Sequence, residues 1–477
     1  MPDQQNESFF ERTLSNLAEA WRDIAAGAAR SVGLSGPLRL VREPDALRRL
    51  MQDCLAARGG EVSARMRAAE LGKTYLELDA EGRRRFLEIL ARDFAVDPDL
   101  VEQSIDAVHQ AADEAGRLAA EERLRRALAP PRLRLLTQFN ALPEGVKFLT
   151  DLRADLLALR AEDPYLRALE SDLGELLGSW FDTGFLDLRR ITWDSAASLL
   201  EKLIAYEAVH AIQSWDDLRN RLDSDRRLYA LFHPRMPDEP LAFVEVALVK
   251  GMADNIQALL DESIPPADAK AVDTAVFYSI SNTQKGLRGI SFGNYLIRKV
   301  VQQLAQELPQ LRNFATLSPV PGFCHWLAQS PAELVLALLS EDEQGGIRAL
   351  GGSDVVTGAL AAILSRADWP QDPVICNALR EPLLRLCIRY FLERRESGEP
   401  IDPVARFHLK NGARLERINW LGDSSPNGLQ QSAGLMVNYR YIVEDLEKNH
   451  EAYMERGEIA MGPDVRSLAR AVRRSAA

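Results

Sequence analysis

The chain has 477 residues, of which 46% are hydrophobic and 27% charged. This is the composition of a soluble globular protein, and the length exceeds what one ordinary core holds. With 70 acidic against 58 basic residues the net charge is -12, which argues against broad nucleic-acid binding because such binding needs a basic face. The four cysteines have no paired spacing, so neither structural zinc nor a disulfide framework is expected.

We expect neither a membrane span nor a targeting signal. No run of 18 apolar residues is found, so a membrane span is not expected. The first residues lack the basic and apolar segments of a secretory signal, and the last five residues, RRSAA, are not a peroxisomal signal. We therefore expect a cytoplasmic location.

Residues 1–177 are predicted to form an all-α helical bundle. Apolar residues recur at three-and-four spacing with Arg and Glu on the opposite face, as in amphipathic helices. The clearest such stretches are residues 9–24, 45–54, 61–78 and 99–115. No fixed repeat is present, which disfavours a solenoid. His109 lies in one of the helical patterns and is interpreted as a packing or surface histidine.

Residues 178–477 are predicted to form a second domain of α/β type. Short β-like runs cover residues 242–248, 274–280, 313–317 and 435–441, and helical patterns cover 293–308, 331–339 and 381–396. Strands alternating with helices indicate an α/β or α+β catalytic domain. The boundary is placed near residue 178, before a segment that contains Trp180 and Trp193.

Residues 274–304 read as a strand, a loop with Gly286, Gly289 and Gly293, and a helix. The free N–H groups and the dipole of a helix start favour an anion, and glycine lets a phosphate approach closely. The spacing matches neither the dinucleotide fingerprint nor a Walker A loop. It is closer to the pyrophosphate loop of GNAT-type acetyltransferases. An ordinary turn between a strand and a helix remains the alternative.

Two further segments present single polar side chains. Pro319 pushes Ser318 out of the α region, which predicts an extended serine at a strand end, with a solvent-facing Ser-Pro turn as the alternative. Asp402 suits an N-cap, and His408 then lies in the last turn of the helix that follows. Because a helix C-terminus favours a cation, we expect His408 to hold its proton more readily than free imidazole and to act as a general acid. A capping histidine is the alternative.

The last segment of interest is GLMVNYRY, which reads as a strand. Alternation places Tyr439 and Tyr441 on one face and Asn438 and Arg440 on the other. A tyrosine hydroxyl in such a position could donate a hydrogen bond to an enolate or a carboxylate, or both tyrosines could be core residues.

Several segments, taken in order, resemble malonyl-CoA decarboxylase. The decisive ones are ISNTQKGLRGISFGNYLIRKVV, TLSPVPGF and FHLKNGARLERINWLGDSSPNGLQQSAGLMVNYRY, supported by SWFDTGFLDLRRITWDS and YEAVHAIQSWDDLRNRL. The resemblance covers essentially all of residues 178–445. It implies a GNAT-like catalytic fold that converts malonyl-CoA to acetyl-CoA and carbon dioxide without a metal, biotin or another prosthetic group.

The resemblance also assigns site residues. The catalytic pair falls on Ser318 and His408, and residues near the thioester and the carboxylate fall on Ser279 and Tyr441. The coenzyme A contacts fall on the loop and the helix start, namely Arg288, Gly289, Ile290, Ser291, Phe292, Gly293 and Asn294. Some relatives carry Glu where this chain has Ser291, so an essential carboxylate is not expected there. We expect His408 to deliver the proton and Ser318 to orient the carboxylate or to relay the proton.

Two other functions stay open. A GNAT-type N-acyltransferase would need an amine acceptor and would release no carbon dioxide, and an acyl-CoA sensor would bind without turnover. A homo-oligomer is expected, with the helical half as the packing module, and the resemblance suggests a tetramer. His210 and His233 lie in segments that resemble the family and are weaker candidates for the site, whereas no motif supports His325.

Overall fold

A computed structural model of the chain describes residues 21, 44–56, 60–161, 163–268, 271–290 and 292–475. They divide into two compact units. The first contains the described residues up to Asp187 together with Phe232–Leu241 and the described part of Asn282–Ser291. The second contains Leu188–Leu231, Ala242–Ser281 and the described residues from Phe292 onward. Of the predicted helix 9–24, only Trp21 is described, and it is helical.

The first unit is built from helices, as predicted. They are α1 (Pro44–Leu55), α2 (Gly60–Glu77), α3 (Ala80–Asp93), α4 (Pro98–His109), α5 (Glu114–Ala127), α6 (Pro131–Phe139), α7 (Gly145–Leu159) and α8 (Pro164–Trp180). Proline occupies the first position of α1, α4, α6 and α8, where its missing N–H costs nothing. His109 is exposed at the end of α4, as predicted.

One predicted helix of this unit is wrong in extent. The pattern over residues 99–115 predicts a single helix, but α4 ends at His109 and α5 begins at Glu114. The break occurs because the Asp113 side chain accepts a hydrogen bond from the Gly116 N–H and thereby starts a new helix. Periodicity continues across such a cap, so it does not reveal the interruption.

The second unit is built on one mixed sheet. Its strands are β1 (Asp187–Ile191), β2 (Arg226–Phe232), β3 (Ala242–Val249), β4 (Thr274–Asn282), β5 (Asn313–Thr316), β6 (Ser318–Pro319), β7 (Arg414–Asn419) and β8 (Met436–Arg440). The order along the sheet is β1-β2-β3-β4-β5-β8-β6, and β7 also pairs with β8. Strands β4 and β5 are parallel, whereas β8 runs antiparallel to β5, β6 and β7.

Helices of the second unit lie before, between and after these strands. They are α9 (Ala197–Tyr206), α10 (Trp215–Arg221), α11 (Ile256–Leu259), α12 (Gly293–Glu307), α13 (Phe323–Gln329), α14 (Ala332–Ala337), α15 (Glu341–Gly351), α16 (Val356–Leu364), α17 (Pro373–Leu392), α18 (Pro403–Lys410), α19 (Pro426–Ser432), α20 (Leu446–Arg456) and α21 (Pro463–Ser475). Within the described ranges, no single helix has the length and hydropathy to cross a membrane, and one bent pair, α15 with α16, meets those two criteria jointly.

The predicted architecture, a helical region followed by a domain with a mixed sheet, is confirmed. Each predicted β-run coincides with a strand, and β4 and α12 form the expected strand and helix. Strand β5 follows α12 and lies parallel to β4. The predicted helix 381–396 is misplaced, because α17 begins at Pro373, where the Asp372 side chain caps it, and ends at Leu392. The boundary at 177/178 stays a prediction, and α8 runs through it to Trp180.

Candidate active site

Ser318 lies in the interior of the second unit. It pairs with Val437 of β8, and only 6% of its surface is exposed, so the alternative of a solvent-facing turn is wrong. Its hydroxyl donates to Thr316 Oγ1 at 2.9 Å and lies 3.2 Å from His408 Nε2. The serine and the histidine, 90 residues apart in sequence, are therefore in hydrogen-bond contact.

Helix α18 presents His408 to this serine. The Asp402 carboxylate accepts a hydrogen bond from the Ala405 N–H, Pro403 is the first helical residue, and Gly412 follows the helix with a φ of +79°. This is the capping pattern expected from the sequence. His408 is 2% exposed, and its ring stacks on Tyr439 with the centroids 4.5 Å apart and the planes at 24°.

Tyr441 holds the other nitrogen of the imidazole. Its hydroxyl oxygen lies 2.7 Å from His408 Nδ1, and both residues are buried. The structure gives Tyr441 Oη no second hydrogen-bond partner among the described residues, so we assign the phenol as the donor to Nδ1. The neutral imidazole then carries its proton on Nε2 and donates it to Ser318 Oγ. Tyr441 thus orients the histidine, whereas the sequence suggested a direct donor to the substrate.

The protonation expected for His408 is wrong. Burial lowers the pKa of His408 from 6.5 to about 3, so the free protein holds a neutral imidazole. Such a change corresponds to about 5 kcal/mol against the cation. A helix C-terminus contributes at most about 2 kcal/mol in favour of a cation. Loss of hydration therefore outweighs the helix dipole, which is the only effect that the sequence pattern could reveal.

Two residues that sequence reasoning missed complete the hydrogen-bond network. Thr316 Oγ1 accepts from the Tyr439 N–H at 3.1 Å as well as from Ser318. Asn438 donates to the Thr316 carbonyl at 2.7 Å and accepts from Asn419 at 2.9 Å. Thr316 could have been found from strand alternation, because residues two apart share a face. Asn438 was placed correctly on the opposite face from Tyr439, but its role in fixing Thr316 needs the tertiary structure.

Arg153, on α7 of the first unit, holds the glycine-bearing loop. It donates to the carbonyls of Gly286 at 2.6 Å and Arg288 at 3.1 Å, and it pairs with Glu170 at 2.7 Å. A Cβ on Gly286 would lie 1.7 Å from the Thr150 carbonyl oxygen, so only glycine fits there. This anchoring residue lies 133 positions before the loop, and no local pattern marks it.

The residues predicted to contact coenzyme A run from the glycine-bearing loop into the start of α12. Gly289 has a φ of +91°, Arg288 and Gly289 are exposed, Ile290 is half-buried and Phe292 is buried. Helix α12 begins at Gly293, as predicted, and Phe292 at its N-cap makes no side-chain capping bond. Ser291 lies outside the described residues, as does the side chain of Asn294. The start of α12 at Gly293 is thus confirmed, and an anion site there stays a prediction.

Ser279 lies on the sheet face that also carries Phe277. Phe277 pairs with Thr316 across β4 and β5, and alternation places Ser279 on the same side. Its hydroxyl hydrogen bonds to both carboxylate oxygens of Glu207, each at 2.7 Å. Glu207 was not singled out in the sequence, although it lies in the YEAVHAI segment.

The other histidines have separate surroundings. His233, in the first unit, hydrogen bonds through Nε2 to the Trp180 carbonyl and accepts from the Arg235 N–H. His210 is half-buried, and its main-chain N–H donates to Glu207. Among the described residues, no group of three or more His, Cys, Asp or Glu side chains could hold a metal ion.

Comparison with known proteins identifies the family. The malonyl-CoA decarboxylase C-terminal domain family matches residues 184–477, and the corresponding N-terminal domain family matches residues 94–181. The chain is 39% identical to "Malonyl-CoA decarboxylase, mitochondrial" from Anser anser anser, over 85% of this chain and 83% of the relative. It is 40% identical to the mouse protein of that name, over 82% of each chain.

Solved structures agree with the sequence comparison. The malonyl-CoA decarboxylase of Rhodopseudomonas palustris is 44% identical with a TM-score of 0.80, and the match covers 89% of this chain and 99% of that one. The Agrobacterium vitis enzyme is 42% identical with a TM-score of 0.79 and the same coverage. With both domain families matched over most of its length, the chain belongs to the malonyl-CoA decarboxylase family.

Proposed function

We propose that the chain decarboxylates malonyl-CoA to acetyl-CoA and carbon dioxide at Ser318, His408 and Tyr441. The observation that carries this proposal is the continuous series of hydrogen bonds from Tyr441 through His408 and Ser318 to Thr316. It places one mobile proton, on His408 Nε2, against one hydroxyl in an environment from which water is largely excluded. Such an arrangement suits proton delivery to a carbanion-like centre.

The reaction requires one proton from the enzyme. Loss of carbon dioxide from the malonyl group leaves the enolate of acetyl-CoA, and its α-carbon must then be protonated. A neutral imidazole is a weak acid, so His408 first has to gain a proton. In the proposed cycle His408 takes a proton from solvent on Nδ1 when the substrate carboxylate arrives, and the Tyr441 hydroxyl turns to accept from it. Nε2 then delivers its own proton to the carbon directly or through Ser318.

The substrate's own charge is large enough to change the state of His408. A carboxylate about 4 Å from the ring stabilises the imidazolium by about 4 kcal/mol at an effective dielectric constant of about 20. This nearly offsets the cost of about 5 kcal/mol that burial imposes on the cation in the free protein. The cationic acid is therefore far more accessible with the substrate bound than in the free protein. After decarboxylation the Nε2 proton moves to carbon and leaves a neutral ring with its proton on Nδ1. Proton exchange with solvent then restores the Nε2 tautomer for the next cycle.

The remaining parts of the proposal concern binding and assembly. The residues from Arg288 to Asn294 hold the coenzyme A phosphates through main-chain N–H groups at the start of α12, and the reaction needs no metal or prosthetic group. A homo-oligomer assembled through the helical unit and a cytoplasmic location belong to the same proposal. Light scattering on the full chain, compared with a fragment starting near residue 178, tests whether the helical unit assembles the homo-oligomer. An unchanged number of subunits would contradict it.

Product analysis tests the proposed reaction. Malonyl-CoA is incubated with the protein without any amine, and acetyl-CoA and headspace carbon dioxide are measured by mass spectrometry. Equal amounts of the two products are expected. Acylation of an added amine without carbon dioxide would instead indicate an N-acyltransferase, and tight binding without turnover would indicate a sensor.

A further inference from the structure

Glu207 is a buried carboxylate at the end of α9. It is 9% exposed and accepts hydrogen bonds from the main-chain N–H groups of Val209 and His210, each at 2.8 Å. Ser279 donates to both of its oxygens at 2.7 Å, and Ser281 donates to one at 3.1 Å. No Lys or Arg among the described residues forms an ion pair with this carboxylate. Neutral hydrogen-bond donors alone therefore replace the hydration that the Glu207 carboxylate loses on burial.

The protons of this cluster can be assigned from its geometry. A main-chain N–H can only donate, so one oxygen of Glu207 receives two hydrogen bonds before the serines are considered. The Ser281 hydroxyl accepts from the Ala208 N–H at 3.2 Å and directs its own proton at Glu207. Ser279 likewise directs its single proton at Glu207. All four of these groups therefore direct a proton at the Glu207 carboxylate.

This arrangement fixes Ser279 as a hydrogen-bond acceptor toward any other group. With its proton directed at Glu207, its hydroxyl presents only lone pairs to any other group, so it cannot donate to a thioester oxygen or to a carboxylate. One lone pair of the Ser281 oxygen is already used by the Ala208 N–H. Ser279 accepts from no group among the described residues, so both of its lone pairs are available, and it lies on the face of β4 that carries Phe277, which pairs with Thr316.

We infer that Glu207 fixes Ser279 as a hydrogen-bond acceptor for an amide N–H of the coenzyme A arm. This inference rests on the proposed function, since it takes an acyl-CoA as the ligand. The malonyl group contributes only acceptors, whereas the amides of the arm are the N–H donors nearest to the thioester. Glu207 is thus a positioning residue, and the contact belongs to the part of the ligand that malonyl-CoA and acetyl-CoA share.

The affinity for the product, acetyl-CoA, measures this contact independently of turnover. Isothermal titration calorimetry with acetyl-CoA is performed on the full chain and on Glu207→Gln, Ser279→Ala and the double variant. Each single variant is expected to weaken binding roughly tenfold, the value of one good hydrogen bond. Because Glu207 acts through Ser279, the double variant should bind no more weakly than Ser279→Ala. The KM for malonyl-CoA should rise in parallel, with kcat changed less than threefold.

Ser281→Ala is the matched control, since it removes a donor from the same carboxylate without removing an acceptor from the ligand. Its acetyl-CoA affinity should stay within twofold of the unmodified protein. If the double variant binds acetyl-CoA about a hundredfold more weakly, so that the two single losses multiply, the inference is overturned. Unchanged acetyl-CoA binding in Ser279→Ala would overturn it as well. If Glu207→Gln does not fold, the Ser279→Ala result alone decides. Acetyl-CoA binding needs no turnover, so a failure of the proposed reaction would not be mistaken for a failure of this contact.

Discussion

Removal of the Tyr441 hydroxyl is the sharpest probe of how His408 is held. Tyr441→Phe deletes the 2.7 Å hydrogen bond to Nδ1 and keeps the ring that packs on Phe277, with the two ring centroids 6.3 Å apart. Nδ1 then becomes a buried acceptor without a donor, which costs about 1–3 kcal/mol. The imidazole is also free to exchange its tautomer and to turn away from Ser318.

If that cost falls on the transition state, kcat drops by roughly 5- to 150-fold while KM changes little. Acetyl-CoA formation at saturating malonyl-CoA measures the loss. Tyr453→Phe is the control, because the buried Tyr453 hydroxyl has no hydrogen-bond partner among the described residues and its removal should leave kcat unchanged. Equal activity of Tyr441→Phe and Tyr453→Phe would refute the assignment of Tyr441 as the residue that orients His408.

Two further predictions concern stability. The folded-state pKa of His408 is depressed, so the unfolded chain binds the extra proton and stability falls as the pH drops from about 7 toward 3. Between pH 7 and 5 the unmodified chain should lose about 2 kcal/mol more unfolding free energy than His408→Asn, and equal losses in urea titrations would contradict this. Gly286→Ala should destabilise by about 2–3 kcal/mol, because its Cβ would overlap the Thr150 carbonyl. Gly178→Ala is the control, because the space at its Cβ is open, and this change should be neutral or stabilising by up to about 1 kcal/mol. Equal melting temperatures for Gly286→Ala and Gly178→Ala would argue against the overlap with Thr150.

Local patterns in the sequence predicted the parts of the site that depend on neighbours in the chain. The cap at Asp402, the glycine after α18 and the start of α12 at Gly293 follow from residue preferences within one or two turns. The alternation of β8 correctly put Tyr439 and Tyr441 on one face, and both contact His408. These are short-range constraints, and the sequence encodes them directly.

Features that depend on burial or on distant contacts could not be predicted. The protonation of His408 is set by the loss of hydration in the folded core, which reverses the expectation from the helix end. Glu207 and Ser279 are 72 residues apart, and Arg153 lies 133 residues before the carbonyl it holds. The sequence around Glu207 and around Arg153 does not distinguish either residue from an ordinary surface charge. The family resemblance assigned Ser318 and His408 to the site, and the fold then showed their hydrogen-bond partners.

Turnover by the Ser318→Ala and His408→Asn variants tests the central claim most directly. Each side chain lies in the series of hydrogen bonds that is proposed to deliver the proton, and general acid–base groups contribute roughly 10²- to 10⁴-fold to rate. Acetyl-CoA formation from malonyl-CoA should therefore fall at least a hundredfold in each variant, with acetyl-CoA still bound and the melting curve still cooperative. Rates within threefold of the unmodified chain in either variant would contradict the proposed role of this pair.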